Sequence, residues 1–296
     1  MTRIVTWFRP FAFAAAVAGL AVALWVERDG IAEFPWRLSW PSFVAAVLMF
    51  GLAPLVGATS FWLLLRGISN GAPPPEETTL VWMRSFLARY VPSGALTLAV
   101  RLRARGRLGV LRGDMLAATA LEQVVAAVGG ATVTLAAFGI DGRRPPLVSA
   151  AILLAAVAIA LSVRRARGRR LLLLRVAMLN AGAWVVNGTA AWILVRALVP
   201  SPPAPLFVVS VYAFAWLIGF VVVFAPSGLG AREATLIAFM SPQLGVAAAT
   251  GIAVVLRFVN IVGDVVAFTV VELAVPVKRV LRARARPLPP SPASSP

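Results

Sequence analysis

Two Pro-Ser-Gly tripeptides interrupt apolar stretches of the sequence, and each lies close to an arginine. The first is Pro92-Ser93-Gly94, with Arg89 before it, and the second is Pro226-Ser227-Gly228, with Arg232 after it. Proline and glycine release backbone groups from helical hydrogen bonds, and the exposed start of a helix carries a partial positive charge. Such helix ends bind phosphate or carboxylate groups. The pattern therefore predicts two broken helices, with arginines beside them, that bind an anion.

A second interpretation of the tripeptides stays open. Both would then be ordinary turns at the membrane interface, with arginine side chains that extend to lipid headgroups. The broken-helix interpretation implies a cavity, because freed backbone groups inside a membrane must be buried in protein or line a wet cavity.

Ionisable side chains also lie inside long apolar runs. Glu122 is about ten residues into the run that begins near Arg112, or roughly 15 Å along a helix, which is the depth of the bilayer midplane. Arg257 and Asp264 reach a similar depth in the last run. Because a charge there costs about 2.5–3.5 kcal/mol, we expect Arg257 to pair with Glu122 or Asp264. Such a pair serves either function or helix assembly alone.

Polar residues on two predicted helices accompany these charges. Asn180, Trp184 and Asn187 share one helix face, where they either line a cavity or make hydrogen bonds between helices. The predicted intramembrane polar network consists of Glu122, Gln123, Asn180, Asn187, Arg257, Asn260 and Asp264.

Composition identifies the class of protein. The sequence of 296 residues is 60% hydrophobic and 13% charged, with a mean hydropathy of +0.89. These values predict an all-α protein that crosses a membrane several times. The net charge of +17 resides in short arginine-rich segments between apolar runs, which orient a membrane protein and do not indicate nucleic-acid binding. The sequence has no cysteine or histidine, and we expect neither a metal site nor a cofactor.

The apolar runs predict a repeat. Residues 79–100 and 206–240 contain the two tripeptides, and each is predicted to turn back as a re-entrant hairpin. Two units of one plan result, residues 10–138 and 146–275, each with three transmembrane helices and one hairpin. An odd number of crossings turns the second unit upside down, which makes an inverted repeat. Chance similarity among helices rich in Ala, Val and Gly is the alternative. The predicted transmembrane helices begin near Pro10, Pro41, Arg112, Pro146, Leu171 and Val246.

Arginine clusters predict the orientation. Arg3 and Arg9 and the clusters at 101–107, 164–170 and 278–286 should face the cytoplasm, which places both termini there. The first hairpin then opens to the inside and the second to the outside. Residues 1–280 are expected to form one transmembrane domain, and residues 281–296 a basic, then Pro- and Ser-rich, disordered cytoplasmic tail.

With these residues, the chain resembles the lysylphosphatidylglycerol synthase transmembrane family of flippase-like membrane proteins. Residues 88–94 are similar to the family's Arg-Tyr-hydrophobic-Pro-Gly stretch, and residues 225–234 to its Pro-Gly-Gly-hydrophobic-Gly-x-Arg-Glu stretch. The resemblance implies a protein that translocates an aminoacylated phospholipid or supports export of polyprenol-linked sugars. Synthesis of the modified lipid is not implied, since no soluble aminoacyltransferase domain follows. The predicted headgroup-binding residues are Arg84, Arg89, Tyr90, Pro92, Ser93, Gly94, Pro226, Ser227, Gly228, Gly230, Arg232 and Glu233.

These features predict a lipid flippase or scramblase in a prokaryotic plasma membrane. An anionic phospholipid or a polyprenyl-phosphate-linked lipid would bind between the hairpins through Arg89 and Arg232, and Glu122 or Asp264 would bind a coupling proton. Another class is a membrane glycosyltransferase that uses a polyprenyl-phosphate sugar, with a carboxylate base among Glu27, Asp29 and Glu33. A third is a non-catalytic partner of envelope glycosyltransferases. The transporter is favoured over the glycosyltransferase because the sequence has no Asp-x-Asp metal motif. It is favoured over the partner subunit because two broken helices and two midplane carboxylates exceed what a scaffold needs.

Overall fold

The structure is a computed structural model that describes residues 25–37, 39–90, 96–138, 170–221 and 228–284, together with Ala18, Ala21 and Val22. All regular elements in these ranges are helices, and a 3-10 turn at Ala88–Tyr90 extends the third of them. The α-helices are α1 (Arg28–Glu33), α2 (Trp40–Ile68), α3 (Pro75–Leu87), α4 (Leu96–Ala104), α5 (Arg112–Phe138), α6 (Arg170–Leu198), α7 (Pro205–Val221), α8 (Ala231–Leu244) and α9 (Val246–Arg284).

Four helices in the described ranges are long and apolar enough to cross a membrane. They are the segments Trp40–Ile68, Arg112–Leu135, Leu171–Leu198 and Val246–Val275 of α2, α5, α6 and α9. The prediction of an all-α membrane protein with several transmembrane helices is therefore confirmed for this part of the chain. The predicted helices near Pro10 and Pro146 lie largely outside the described residues, as do residues 285–296.

Local sequence explains where several helices begin and end. Proline lies in the first turn of α2 and of α3, where a missing N–H leaves no hydrogen bond unmade. At the end of α2, the hydroxyl and the N–H of Ser69 donate to the carbonyl of Leu65 at 2.8 and 2.9 Å. Pro54 lies inside α2, where proline removes a helical hydrogen bond.

Two apolar cores lie at opposite ends of the long helices. The first core contains Phe50 of α2, Leu194 of α6 and Ile252 of α9, together with much of α7. The second core contains Phe61 of α2 and Val271 of α9, together with much of α3. Burying large apolar side chains in each core stabilises the helix packing.

The cores reveal the direction of each long helix. Along the chain, α2 and α9 run from the first core to the second, whereas α5 and α6 run from the second core to the first. Helix α3 packs on α4, and α7 packs on α8. The order of a long helix, two shorter helices and a long helix therefore occurs in α2 to α5 and again in α6 to α9.

Candidate functional site

A cavity of about 730 Å³ lies midway along the long helices, between the two cores. Its wall includes residues of α2, α5, α6 and α9 and of both pairs of shorter helices. Its volume falls within the range of about 300–1,000 Å³ that is typical of small-molecule sites. The charged and amide side chains in the wall are those of Arg89, Arg101, Glu122, Gln123, Asn180, Asn187, Arg232, Asn260 and Asp264.

Arg89 and Asp264 form an ion pair in the cavity wall. Nη2 of Arg89 lies 2.6 Å from Oδ2 of Asp264, and the Tyr90 hydroxyl donates to the same carboxylate oxygen. The Asp264 side chain is 1% exposed, while that of Arg89 is 29% exposed. The guanidinium of Arg89 also lies 3.7 Å over the ring of Phe86. These contacts join the end of the 3-10 turn to the middle of α9.

Arg232 is placed differently, since its contacts are with neutral groups. Its Nη1 donates to Oδ1 of Asn260 at 3.4 Å, and its guanidinium lies 4.6 Å from the centre of the Tyr212 ring. Among the described residues no carboxylate lies within ion-pair distance of Arg232, although the residue is only 6% exposed. A buried guanidinium with neutral partners attracts an anion.

Arg101 and Glu122 form a second, more deeply buried ion pair. Their side chains are 2% and 8% exposed. The Trp82 indole N–H also donates to Glu122, and Nε of Arg101 donates to the Ser85 hydroxyl at 2.9 Å. The Glu122 carboxylate is thus engaged by two donors, one of them charged, which is the arrangement that a buried charge requires.

The predicted pairing of Arg257 with Glu122 or Asp264 is wrong. Glu122 pairs with Arg101, and Asp264 pairs with Arg89. Nη1 of Arg257 instead lies 3.2 Å from Oε1 of Glu233. Depth along a helix defines a height in the membrane and not a direction around the helix axis, so equal depth did not identify the partners.

Glu233 has a structural role at the start of α8. Its Oε2 accepts the backbone N–H of Gly230 at 2.6 Å, which is half of a capping box. Its other oxygen accepts from Arg257. Neither Glu233 nor Arg257 belongs to the cavity wall.

Other predicted headgroup residues are divided between the cavity and its surroundings. Gly228 lies in the cavity wall, with a backbone φ of 67°. Arg84 is outside it, and makes a two-pronged ion pair with Glu272 at 2.5 and 2.8 Å. Tyr90 reaches Asp264 without forming part of the wall. Residues Pro92, Ser93, Gly94, Pro226 and Ser227 lie outside the described residues.

Both alternatives that the sequence left open for the amide side chains of α6 occur, since Asn180 and Asn187 line the cavity and Asn180 also bonds to another helix. Asn180 donates to the Ser60 hydroxyl at 3.2 Å and to the Val176 carbonyl at 2.9 Å, so it also joins two helices. Oδ1 of Asn187 is buried and has no hydrogen-bond donor among the described residues.

Sequence reasoning missed two groups of residues in the wall. Arg101 begins an arginine-rich segment, so its charge was assigned to the membrane surface. Arg101 and Glu122 lie on consecutive helices joined by one loop, and this is the sequence signal that points to a pair. Aromatic rings were also missed, including Trp82, Phe86 and Trp216. Aromatic residues are frequent in apolar helices, and their spacing does not distinguish a cavity wall from a core.

Arg89, Gly228 and Arg232, which belong to the two stretches that carry the family resemblance, lie in the cavity wall. A comparison with curated proteins gave no match. A family model described as the lysylphosphatidylglycerol synthase TM region matches residues 11–267, a span that includes both tripeptides and every residue of the cavity wall. The chain therefore belongs to the family of lysylphosphatidylglycerol synthase transmembrane regions.

Proposed function

We propose that this protein moves an anionic lipid across the plasma membrane as a flippase or scramblase. The observation that carries the proposal is a guanidinium, that of Arg232, in the wall of a cavity located midway along membrane-spanning helices. A buried charge in a membrane protein that lacks a charged partner is a functional-site signal. Its sign selects an anion, and a phospholipid or polyprenyl-phosphate lipid supplies one.

The arrangement of the helices supports alternating access. Helices α2 and α6 hold equivalent places in the two units and pass the cores in opposite order, as do α5 and α9. The α3–α4 pair adjoins the second core, and α7 and α8 adjoin the first. This arrangement supports an inverted repeat in which one re-entrant hairpin reaches the cavity from each side of the membrane.

In this proposal the headgroup occupies the cavity while the tails stay in lipid. Arg232 binds the phosphate, and Arg89 joins it when its pair with Asp264 opens. The aspartate that is released must then find a proton or another partner, because an unpaired carboxylate at that depth is costly. Opening of the Arg89–Asp264 pair thus links headgroup binding to motion of the first hairpin against α9.

Charge on the described loops supports the proposed topology. Arg103, Arg105 and Arg107 are exposed at the end of α4 and in the turn after it. Exposed arginines in a short loop are typical of the cytoplasmic side. We therefore retain a cytoplasmic location for this loop and for both termini of a single domain over residues 1–280.

No observation favours the glycosyltransferase. Asp29 makes an exposed ion pair with its neighbour Arg28, and neither Glu27, Asp29 nor Glu33 belongs to the cavity wall. A partner subunit of an envelope glycosyltransferase would use the same lipid, so transport is the function to test first.

The test is lipid transfer in liposomes. Purified protein is reconstituted with a fluorescent phosphatidylglycerol, and the fraction that a membrane-impermeant quencher reaches is followed over time. We expect transfer with the wild type, none with Arg232→Ala, and partial transfer with Arg232→Lys, which keeps the charge but loses the planar fork that fits phosphate. Wild-type protein that transfers no phospholipid and no polyprenyl phosphate would refute the proposal.

A further inference from the structure

Within the described chain, two ion pairs join α9 to α3 and the 3-10 turn that extends it. The inner pair is Arg89 with Asp264 in the cavity wall, and the outer pair is Arg84 with Glu272. Glu272 follows Asp264 by eight residues, or roughly 12 Å of helical rise, and it is the one nearer the second core. The line of contact between α3 and α9, here called the α3–α9 seam, therefore connects the cavity with that end of the protein.

The outer pair lies at the depth of lipid phosphates. Asp264 is in the wall of a cavity midway along the long helices, and half of the hydrocarbon layer is about 15 Å thick. A site about 12 Å from Asp264 along α9 is thus near the border between hydrocarbon and headgroups. Arg84 is 50% exposed and Glu272 24%, whereas Asp264 is 1% exposed. A phospholipid in that leaflet carries its phosphate at the height of Arg84.

The outer pair can exchange its partner at little cost. An ion pair between exposed side chains contributes little to stability, because water solvates each charge when the pair opens. The pair that joins α4 to α5 is different, since Arg101 and Glu122 are 2% and 8% exposed and opening them leaves charges buried. A phosphate that reaches α3 thus displaces Glu272 from Arg84 before it disturbs the contact of α4 with α5.

The equivalent contact of the second unit offers no cation on its shorter helix. There α7 packs on α5, as α3 packs on α9. Helix α7, Pro205–Val221, contains no acidic or basic residue, so its contact with α5 includes no ion pair. A phosphate that moved along α7 would lose its water without gaining a counter-charge. Of the two contacts, the α3–α9 seam is the one with arginines along its length.

An exposed apolar face of α9 borders the seam. Val265 and Glu272 are seven residues apart, which places them on nearly the same side of the helix. Val265 is 46% exposed. The same exposed face continues with Val266, Val270 and Leu273. These apolar side chains suit the tails of a lipid whose phosphate lies in the seam, so headgroup and tails can move together along α9.

We propose that the α3–α9 seam is the path by which a lipid phosphate enters the cavity, with Arg84 as its first binding site. The inference rests on the proposed function, which places the phosphate at Arg232 inside the cavity. The phosphate first replaces Glu272 at Arg84. It then replaces Asp264 at Arg89, and it ends at Arg232. On the topology proposed above, the seam opens from the cytoplasmic leaflet. A phospholipid and a polyprenyl phosphate share the chemistry that this path requires.

A residue on the path has a kinetic signature that a structural residue lacks. Arg84→Gln and Glu272→Gln both break the outer pair, so a purely structural role predicts the same effect for both. On the path, Arg84→Gln removes the first binding site, whereas Glu272→Gln removes the group that competes with phosphate. Arg84→Gln should therefore slow lipid association and dissociation together, and Glu272→Gln should speed up both. The dissociation constant should stay the same, since the final site at Arg232 is intact.

The experiment follows binding to the full chain in mixed micelles. Fluorescent phosphatidylglycerol and fluorescent polyprenyl phosphate are each mixed rapidly with the protein, and energy transfer from the tryptophans reports binding. A lipid that binds saturably identifies the source of the phosphate. We expect the two rates to change by about two- to fivefold, as for the loss of an exposed ion pair. Rates that fall in both variants or change in neither, or the absence of saturable binding to the wild type, overturn the path.

Arg66→Gln is the matched control for surface charge. Arg66 is exposed at the same end of the protein, in the last turn of α2, where its guanidinium lies 5.4 Å from the centre of the Trp62 ring. It takes part in neither ion pair of the seam. Arg66→Gln should leave both rates unchanged. Association that slows as much in Arg66→Gln as in Arg84→Gln would mean that surface arginines attract anionic lipid in general, which overturns the path.

Liposome transfer by the same preparations separates this inference from the proposed function. Opposite rate changes in Arg84→Gln and Glu272→Gln, without transfer of lipid by any of the proteins, support the path and refute transport. Transfer by the wild type, together with rate changes of the same sign in the two variants, refutes the path and leaves transport standing.

Discussion

Arg89 and Asp264 are 175 positions apart in the sequence, yet their side chains form an ion pair of 2.6 Å inside the protein. The pair connects the arginine nearest the first tripeptide to the aspartate of α9. Arg232, the arginine nearest the second tripeptide, has only neutral partners among the described residues. The two arginines that looked equivalent in sequence therefore have different environments.

This difference predicts different stabilities for the two alanine variants. Arg89→Ala leaves the buried Asp264 unpaired and should lower the free energy of unfolding by about 3 kcal/mol. Arg232→Ala leaves no carboxylate unpaired and should cost about 1 kcal/mol. Thermal unfolding in detergent measures both. The double variant Arg89→Ala/Asp264→Asn should regain stability, and equal losses for the two single variants would contradict the assigned pairing.

The Arg101–Glu122 pair does not include Arg89 or Arg232, and removal of either of its partners should lower the stability of the protein strongly. Glu122→Gln leaves Arg101 buried without a counter-charge and should cost about 3–5 kcal/mol. Arg101→Met combined with Glu122→Gln should cost less than either change alone. Glu272→Gln is the control: its partner Arg84 is 50% exposed, so its loss should cost under about 1 kcal/mol. A similar loss of stability for Glu122→Gln and Glu272→Gln would contradict the burial of the Arg101–Glu122 pair.

The contact that Gly228 makes with α7, just before the start of α8, should tolerate no side chain at position 228. The φ of Gly228 is 67°, and a Cβ there would lie 2.6 Å from Cα of Gly219, so Gly228→Ala should displace the chain that leads to Arg232. Gly245 has a φ of 83° with open space around it. Gly245→Ala should therefore show only the backbone strain of about 1–2 kcal/mol, and Gly228→Ala a larger loss in thermal stability. Equal losses of thermal stability for Gly228→Ala and Gly245→Ala would mean that Gly228 does not lie in close contact with Gly219.

The topology predicts the location of the turn after α4. The sequence has no cysteine, so Arg103→Cys introduces a single thiol at an exposed position. A membrane-impermeant maleimide should label it in inverted vesicles and not in intact cells. Labelling in intact cells would mean that residues 79–100 cross the membrane completely, and the inverted repeat would then be wrong.

Sequence alone gave the class of protein and the positions of four long helices, because hydropathy and length determine which segments can cross a membrane. It also identified most polar residues of the cavity wall, since a polar side chain deep in an apolar helix needs a protein or a ligand around it. Charge partners were not predictable. Arg101 was grouped with the exposed Arg103, although two residues, or about half a helical turn, place the two side chains on opposite sides of α4. Arg257 was matched by depth to Glu122, although it packs on the neighbouring α8.

The central claim is that lipid passes through the cavity, and a plug in the cavity tests it most directly. Ala183 lines the cavity, whereas Val185, two residues along α6, is 51% exposed on the outer surface. Each is changed to cysteine in turn, modified with a bulky thiol reagent and assayed for lipid transfer in liposomes. We predict that modification at position 183 stops transfer and that modification at 185 leaves it unchanged. Full transfer by protein completely modified at 183 would contradict the account.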